Sequence, residues 1–185
     1  DPRKAAQFVN QLIEKDHVDW IKLMLNGGGV PGTGGYGKTI PDKTVKAMIN
    51  EAHNLGKKTA AHCITNASIR QYIEAGGDCV VHGEFIDDNG EQYVDPYVFD
   101  LLADSGVWLN PTVHTGRSKM EAYQKKAEIS PLTADQQKVL NRVTEHYYNR
   151  KRTVQQLWER RVQMIAGSDS GYAYYPFGGF YHELD

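Results

Sequence analysis

The 185-residue sequence predicts an α/β fold in which helices alternate with the strands of a parallel sheet. Short apolar runs recur along the chain, and each follows a segment with helical apolar spacing. Glycines end several of the helical segments, and a polar residue stands where several apolar runs end. Short connections and right-handed crossovers then place the strands in one sheet, so we expect a single domain over residues 1–185.

Apolar spacing and capping residues predict five helices. Gly56 supplies the left-handed conformation that ends the second helix, and Asp95 followed by Pro96 opens the fourth. The basic run at residues 150–152 lies in the last helix, and we interpret it as a solvated face. The predicted helices cover residues 3–15, 42–55, 67–75, 95–106 and 133–160.

Five short apolar runs predict the strands. Lys22 interrupts the first run, where a buried charge is costly unless it is paired or modified. The two-residue period places Lys22 and Met24 on one side, with Ile21, Leu23 and Leu25 on the other. The predicted strands cover residues 18–29, 57–63, 78–83, 107–112 and 162–169.

Polar residues end four of the predicted strands. His62, His82 and Asn110 end three successive strands, and Asp169 ends the fifth. The carboxyl ends of parallel strands carry the chemistry of α/β folds, and neutral imidazoles there can converge on one cation together with a carboxylate. Each residue alone has a structural alternative, such as a hydrogen-bonded core histidine or an aspartate in a turn. Their joint occurrence at successive strand ends favours a metal site.

A glycine-rich segment matches the phosphate-binding loop pattern. Residues 32–39 read GTGGYGKT, but the preceding strand ends near Leu25, well before the first glycine of the match. Pro41 falls within the first turns of the helix that such a loop requires. Pro41 and Asp42 fit better as the start of that helix, which places Lys38 in a loop. A loop over a strand end is favoured, and a nucleotide-binding module stays an alternative.

The composition is that of an ordinary globular protein. A net charge of -2 gives no sign of a nucleic-acid surface or of a basic membrane-binding face. No apolar run approaches the roughly 20 residues that span a bilayer. Cys63 and Cys79 lie in apolar runs without metal-binding spacing, and we expect buried thiols. The cysteines do not fix the compartment, and the cytoplasm is slightly favoured.

Four strings in this order resemble the amidohydrolase superfamily: DWIKLMLNGGG, GKKTAAHCITNASIRQYIEAGGDCVVHGEF, LNPTV, and MIAGSDSG with the later PFGGFYHELD. They are most similar to the branch with prolidase-like Xaa-Pro dipeptidases, imidazolonepropionase-like hydrolases and zinc carboxypeptidases. The resemblance implies a (β/α)8 TIM barrel with a binuclear metal centre, usually zinc. About five β/α units, from the fourth to the eighth barrel strand, are expected here.

The resemblance also implies the metal ligands. Lys22 matches the fourth-strand lysine, which reacts with carbon dioxide to form a carbamate that bridges both metals. His62 and His82 match the fifth-strand and sixth-strand ligands. Asp169 matches the eighth-strand acid, which binds one metal and moves a proton from the attacking water to the leaving amine. The His-x-His pair of the family's first strand is not found in this sequence.

The implied function is metal-dependent hydrolysis of an amide or peptide bond in a small substrate such as a dipeptide. His114 and Tyr172, in the loops after the seventh and eighth barrel strands, are candidates for substrate contact, with a surface role as the alternative for His114. Because strands one to three are not recognised, a second hypothesis is a catalytically incomplete fragment with a structural or assembly role. Such a fragment would pair with the missing N-terminal portion or with another copy of itself.

Overall fold

A computed structural model describes residues 1–27, 35–171 and 177–184 of the chain. Four parallel strands form one sheet in the order β1-β2-β3-β4. The strands are β1 Trp20–Met24, β2 Lys58–Thr65, β3 Cys79–Ile86 and β4 Trp108–Asn110. The helices are α1 Pro2–Glu14, α2 Asp42–Asn54, α3 Asn66–Glu74, α4 Pro96–Asp104, α5 His114–Ile129 and α6 Ala134–Glu159, followed by a short 3-10 helix at Phe180–Glu183. The predicted α/β class with a parallel sheet is confirmed.

Local capping residues explain why most helices begin where they do. The side chain of Asp95 accepts hydrogen bonds from the first backbone amides of α4. Thr65 and Thr133 form capping boxes with Ser68 and Gln136 at the starts of α3 and α6. These caps lie next to the helices in sequence, which is why the starts of α4 and α6 could be predicted closely.

The helices cover one side of the sheet and leave the other side open. On β1, Ile21 and Leu23 are buried, whereas Lys22 and Met24 are exposed, as the two-residue period predicts. The covered side forms one core with residues from five of the helices. Representative core residues are Val9, Val45, Ile49, Ile69, Tyr72, Leu102 and Leu157 from the helices, with Leu23, Ala61, Val80 and Leu109 from the strands.

The predicted fifth strand is reduced to one isolated bridge. Met164 pairs in parallel with Leu109, whose backbone exchanges hydrogen bonds of 2.9 Å with Gln163 and Ile165. The chain then leaves the extended conformation, and Asp169 reaches a φ of 51°. The prediction of a full strand over residues 162–169 is therefore wrong, although its first half lies beside β4 as expected.

Helix α5 replaces the loop expected around His114. The carboxylate of Glu183 accepts hydrogen bonds from the backbone amides of Val113, at 2.9 Å, and His114, at 2.7 Å. These amides lie at the N-terminus of α5, where backbone donors have no partner within the helix. The cap lies about 70 residues away in sequence, so no local pattern could reveal where this helix starts.

Within the described ranges, no helix is both long and apolar enough to cross a membrane.

Candidate metal centre

His62 and His82 lie together where the regular pairing of β2 with β3 ends, although the two strands continue to Thr65 and Ile86. Their ring centroids are 4.6 Å apart and the rings meet edge to face at 71°. Both side chains are buried. Two imidazoles at this separation on neighbouring strands are close enough to share one cation, and their assignment as metal ligands stays a prediction.

A left-handed backbone turn brings His82 to this position. The sheet register pairs His82 with Cys63, and His62 with Val81, so regular alternation would place the two histidines on opposite faces. His82 instead has a φ of 76°, and Gly83 follows with a φ of 57°. The strand is therefore irregular at this point, and the His82 ring turns towards His62.

The surroundings of His82 favour a neutral imidazole. Burial, followed by the neighbouring His62, lowers the pKa of His82 to about 3. Arg150 and Lys22 lower the pKa further, and Glu84 opposes only part of this. A neutral ring retains a nitrogen lone pair, which a metal ligand needs.

Lys22 lies on the same face of the sheet as His62. The register pairs Lys22 with Ala60 and Met24 with His62, so alternate residues of β1 and β2 share the open side. Lys22 is exposed, and its positive charge is among the causes that lower the pKa of His82. The predicted lysine therefore faces the side of the sheet on which His62 lies.

Asp169 is not brought into a cluster with the histidines. Asp169 is exposed and has a φ of 51°. It lies between Ser168 and Ser170, whose hydroxyl oxygens are 2.6 Å apart. Over the part of the chain that the structure describes, no three His, Cys, Asp or Glu side chains form a group that could hold a metal ion. The assignment of Asp169 as ligand and acid stays a prediction.

The two predicted substrate-contact residues have different outcomes. His114 is buried in the first turn of α5, its Nε2 lies 2.9 Å from the hydroxyl of Ser118, and its ring stacks on His182 at 5.2 Å. Burial, followed by the charge of His182, lowers the pKa of His114. A surface position for His114 is therefore wrong, and substrate contact stays a prediction. Tyr172 lies outside the described residues.

A buried charge cluster beside His82 was missed from the sequence. Arg150, predicted to be solvated, is only 3% exposed and pairs with Glu84 at 3.2 Å. The second oxygen of Glu84 lies 3.2 Å from Nε2 of His146. Burial raises the pKa of Glu84, but the charge of Arg150 and the hydrogen bond and charge of His146 outweigh this and hold that pKa below its usual range. The sequence does not distinguish Arg150 from its basic neighbours Lys151 and Arg152, which are exposed. The burial of Arg150 was therefore not predicted.

The glycine-rich segment does not form a phosphate-binding loop in its described part. Helix α2 begins at Asp42 after Pro41, as predicted, and Lys38 lies in the preceding loop. The Lys38 ammonium pairs with Asp42 at 2.9 Å, and the hydroxyl of Thr39 donates to the backbone carbonyl of Met24 in β1. Residues 28–34 lie outside the described ranges. The lysine that a nucleotide would need is engaged by its own chain.

Comparison with known proteins identifies relatives of this arrangement. A family model described as the amidohydrolase family matches residues 4–178, and no curated protein matches the chain. A crystal structure of a Xaa-Pro dipeptidase with bound methionine superposes with a TM-score of 0.71 at 23% identity, covering 99% of this chain and 41% of its own.

Two further structures have the same fold. A putative prolidase from Bifidobacterium longum gives a TM-score of 0.70 at 22% identity, covering 99% of this chain and 42% of its own. The ochratoxinase of A. niger gives 0.72 at 18% identity, covering 100% of this chain and 37% of its own. The chain therefore spans about two fifths of the length of these proteins, which is consistent with the predicted partial barrel.

Proposed function

This chain belongs to the amidohydrolase family, and we propose that it takes part in the metal-dependent hydrolysis of a C–N bond in a small amide or peptide. The observation that carries the proposal is the close approach of His62 and His82 on the adjacent strands β2 and β3. A dipeptide is the favoured substrate class because a Xaa-Pro dipeptidase and a prolidase are among the similar structures. That last step is an argument from similarity of fold.

The donor set fits one cation better than two. His62, His82 and the carbamate of Lys22 would hold it, and the lowered pKa of His82 keeps that imidazole neutral. Apart from Asp169, whose role as a ligand stays a prediction, donors for a second cation would have to come from outside the described residues. When bound, a zinc ion would lower the pKa of water and polarise the scissile carbonyl.

The other proposed roles belong to Asp169, His114 and Tyr172. Asp169 would take the proton from the attacking water and deliver it to the leaving amine. Its exposure is compatible with proton exchange at an open edge. His114 and Tyr172 are proposed to contact the substrate beside the strand ends.

A second candidate is a catalytically incomplete unit with an assembly role. The observation that favours it is the open side of the sheet, where Trp20 is 49% and Trp108 is 42% exposed. Large aromatic side chains on an uncovered sheet face favour further protein packing there. The remainder of the barrel or a second copy of the chain would supply that cover.

An activity assay on the full chain tests the leading proposal. The chain is supplied with zinc and bicarbonate, and amine release is measured from a panel of Xaa-Pro dipeptides and simple amides. We expect turnover that disappears in His82→Ala. His17→Asn is the matched control, because His17 is an exposed histidine whose φ of 54° asparagine tolerates.

The result separates the two candidates. Turnover that survives in His17→Asn and is lost in His82→Ala supports hydrolysis at the strand ends. Equal turnover in the two variants contradicts that site. No turnover from any variant, together with stable self-association of the chain, supports the assembly role.

A further inference from the structure

We propose that Thr112 and Arg150 are positioning residues that hold the His82 ring with its proton on Nδ1 and its lone pair on Nε2. The identity of what Nε2 binds rests on the proposed function. The positioning itself concerns contacts within this chain, and it is tested without metal or substrate.

Thr112 is the direct partner of His82. Its Oγ1 lies 2.7 Å from Nδ1 of His82, across 30 positions of sequence, and the residue is 1% exposed. Thr112 also has a φ of 47°, which a β-branched residue rarely adopts. Such a conformation persists only where surrounding contacts determine it. Something must therefore hold the Thr112 backbone in place.

Arg150 supplies those contacts from helix α6. Its Nη2 donates to the carbonyl oxygens of Pro111 and Thr112, and its Nη1 donates to Oγ1 of Thr115 at 3.2 Å. The Thr115 hydroxyl in turn donates to the carbonyl of Thr112 at 2.8 Å. A planar guanidinium reaches several acceptors in fixed directions, which an ammonium group cannot do. The forked set of hydrogen bonds from the Arg150 guanidinium therefore fixes the turn that carries Thr112.

Glu84 supplies the negative charge that offsets the cost of burying Arg150. Its carboxylate pairs with Nη1 of Arg150 at 3.2 Å, and it lies two positions beyond His82 on β3. Arg150 thus connects the strand that carries His82 with the turn that carries its hydrogen-bond partner. Both ends of the His82–Thr112 contact are held by one side chain.

The 2.7 Å distance allows either direction of the hydrogen bond, and the direction proposed here rests on the proposed function. When the far nitrogen of a histidine ligand donates to an acceptor, the tautomer and the ring orientation are both fixed. Here the acceptor would be the Thr112 hydroxyl oxygen, and Nε2 of His82 keeps its lone pair. The opposite arrangement, in which Thr112 donates to Nδ1, would place the proton on Nε2 and block it as a ligand.

Nitrogen NMR of the imidazole rings distinguishes the two arrangements. Long-range proton–nitrogen spectra of the metal-free chain at neutral pH assign the protonated nitrogen of His82. Thr112→Val removes the hydroxyl and keeps the β-branched shape, whereas Thr112→Ser keeps the hydroxyl. Arg150→Lys keeps a positive charge beside Glu84 and removes the fork.

We expect the Nδ1–H tautomer in the wild type and in Thr112→Ser, and a mixture of tautomers in Thr112→Val and Arg150→Lys. If zinc binds, its affinity should fall about 10- to 100-fold in Thr112→Val and recover in Thr112→Ser. A wild-type His82 protonated on Nε2, or a Thr112→Val spectrum that matches the wild type, overturns the proposal. The expected tautomers in a chain that binds no zinc would support the positioning and count against the proposed function alone.

Discussion

The two ends of the parallel sheet use polar side chains in different ways. Before β3, the Asp78 carboxylate accepts hydrogen bonds from Lys58 and His53, both at 2.7 Å, and from the backbone and hydroxyl of Thr59. Where the regular pairing of β2 with β3 ends, two imidazoles lie 4.6 Å apart. At the first end, several donors satisfy one carboxylate. At the second, two side chains of the same type lie in contact without opposite charges to attract them.

Backbone strain separates the two ends as well. Positive φ angles, each at a cost on the order of 1–3 kcal/mol, occur at His82 and Phe85 in β3, at Thr112 after β4 and at Asp169. His17 and Arg161 also have positive φ, but they follow the ends of α1 and α6, where left-handed residues are common. Strain collected in β3 and just after β4, beside converging imidazoles, is typical of a functional site. The other end anchors the fold.

The largest predicted effect is at the buried ion pair behind the strand ends. Arg150→Met leaves the largely buried carboxylate of Glu84 without its main partner, and we expect the free energy of unfolding to fall by about 3–5 kcal/mol. Arg152→Met, at an exposed position of the same helix, should change it by less than about 0.5 kcal/mol. Urea unfolding of both variants measures this difference, and equal midpoints would contradict it.

A smaller effect is predicted where Gly77 approaches the ring of Tyr72. A Cβ at Gly77 would lie 2.2 Å from Cζ of Tyr72, a fully buried side chain that bonds to Thr59 and to the backbone of Asp78. Gly77→Ala should therefore lower the free energy of unfolding by about 1–3 kcal/mol. Gly35→Ala, with nothing within 4 Å, is the control and should stay close to wild type in thermal unfolding. A silent Gly77→Ala would show that this end is loosely packed.

The Asp78 network predicts a dependence of stability on acid. Burial alone would raise the pKa of Asp78, but hydrogen bonds from Lys58, His53 and Thr59 lower it to about 2. A lowered folded-state pKa stabilises above the unfolded value, so this stability is lost as the pH falls from 3.8 towards 2. Because Lys58 and His53 are partly exposed, solvent screening reduces the expected loss to on the order of 1–2 kcal/mol.

Urea unfolding between neutral and acidic pH measures this loss. Asp78→Asn should flatten the acid limb of the curve, whereas Asp16→Asn, at an exposed position, should leave it as in the wild type. An acid limb that is unchanged in Asp78→Asn would show that the carboxylate contributes no linked stability.

The smallest effect is predicted at the glycine-rich segment. Lys38→Ala removes an exposed ion pair with Asp42, and we expect the free energy of unfolding to change by about 0–1 kcal/mol. Calorimetric titration with ATP should give no binding heat for either the wild type or Lys38→Ala. Binding to the wild type that is lost in the variant would restore the nucleotide hypothesis.

Sequence patterns could predict the features that depend on local chemistry. The alternation of elements, the caps at Asp95 and Thr133, and the glycine after α2 are written in neighbouring residues. The prediction that His62 and His82 end their strands is wrong, because β2 continues to Thr65 and β3 to Ile86. The two residues do lie where the regular pairing of these strands ends. The family resemblance itself is confirmed by the match over residues 4–178.

Features that depend on distant partners could not be predicted. The left-handed turn at His82 breaks the two-residue period, so the face on which its ring lies is not visible from alternation. Arg150 is buried because Glu84, on β3, pairs with it. Helix α5 begins at His114 because Glu183, which comes after α6 in the chain, accepts hydrogen bonds from the first amides of α5. In each case the deciding contact joins residues far apart in sequence.

Zinc content per chain tests the central claim most directly, namely that the carboxyl ends of the strands are where this chain carries its chemistry. The chain is purified without chelator, supplied with zinc and bicarbonate, dialysed, and measured by elemental analysis beside His62→Ala, His82→Ala and His17→Asn. We predict that the wild type and His17→Asn retain zinc and that both alanine variants lose it. A wild type that retains no zinc, or alanine variants that retain as much as the wild type, would contradict this account.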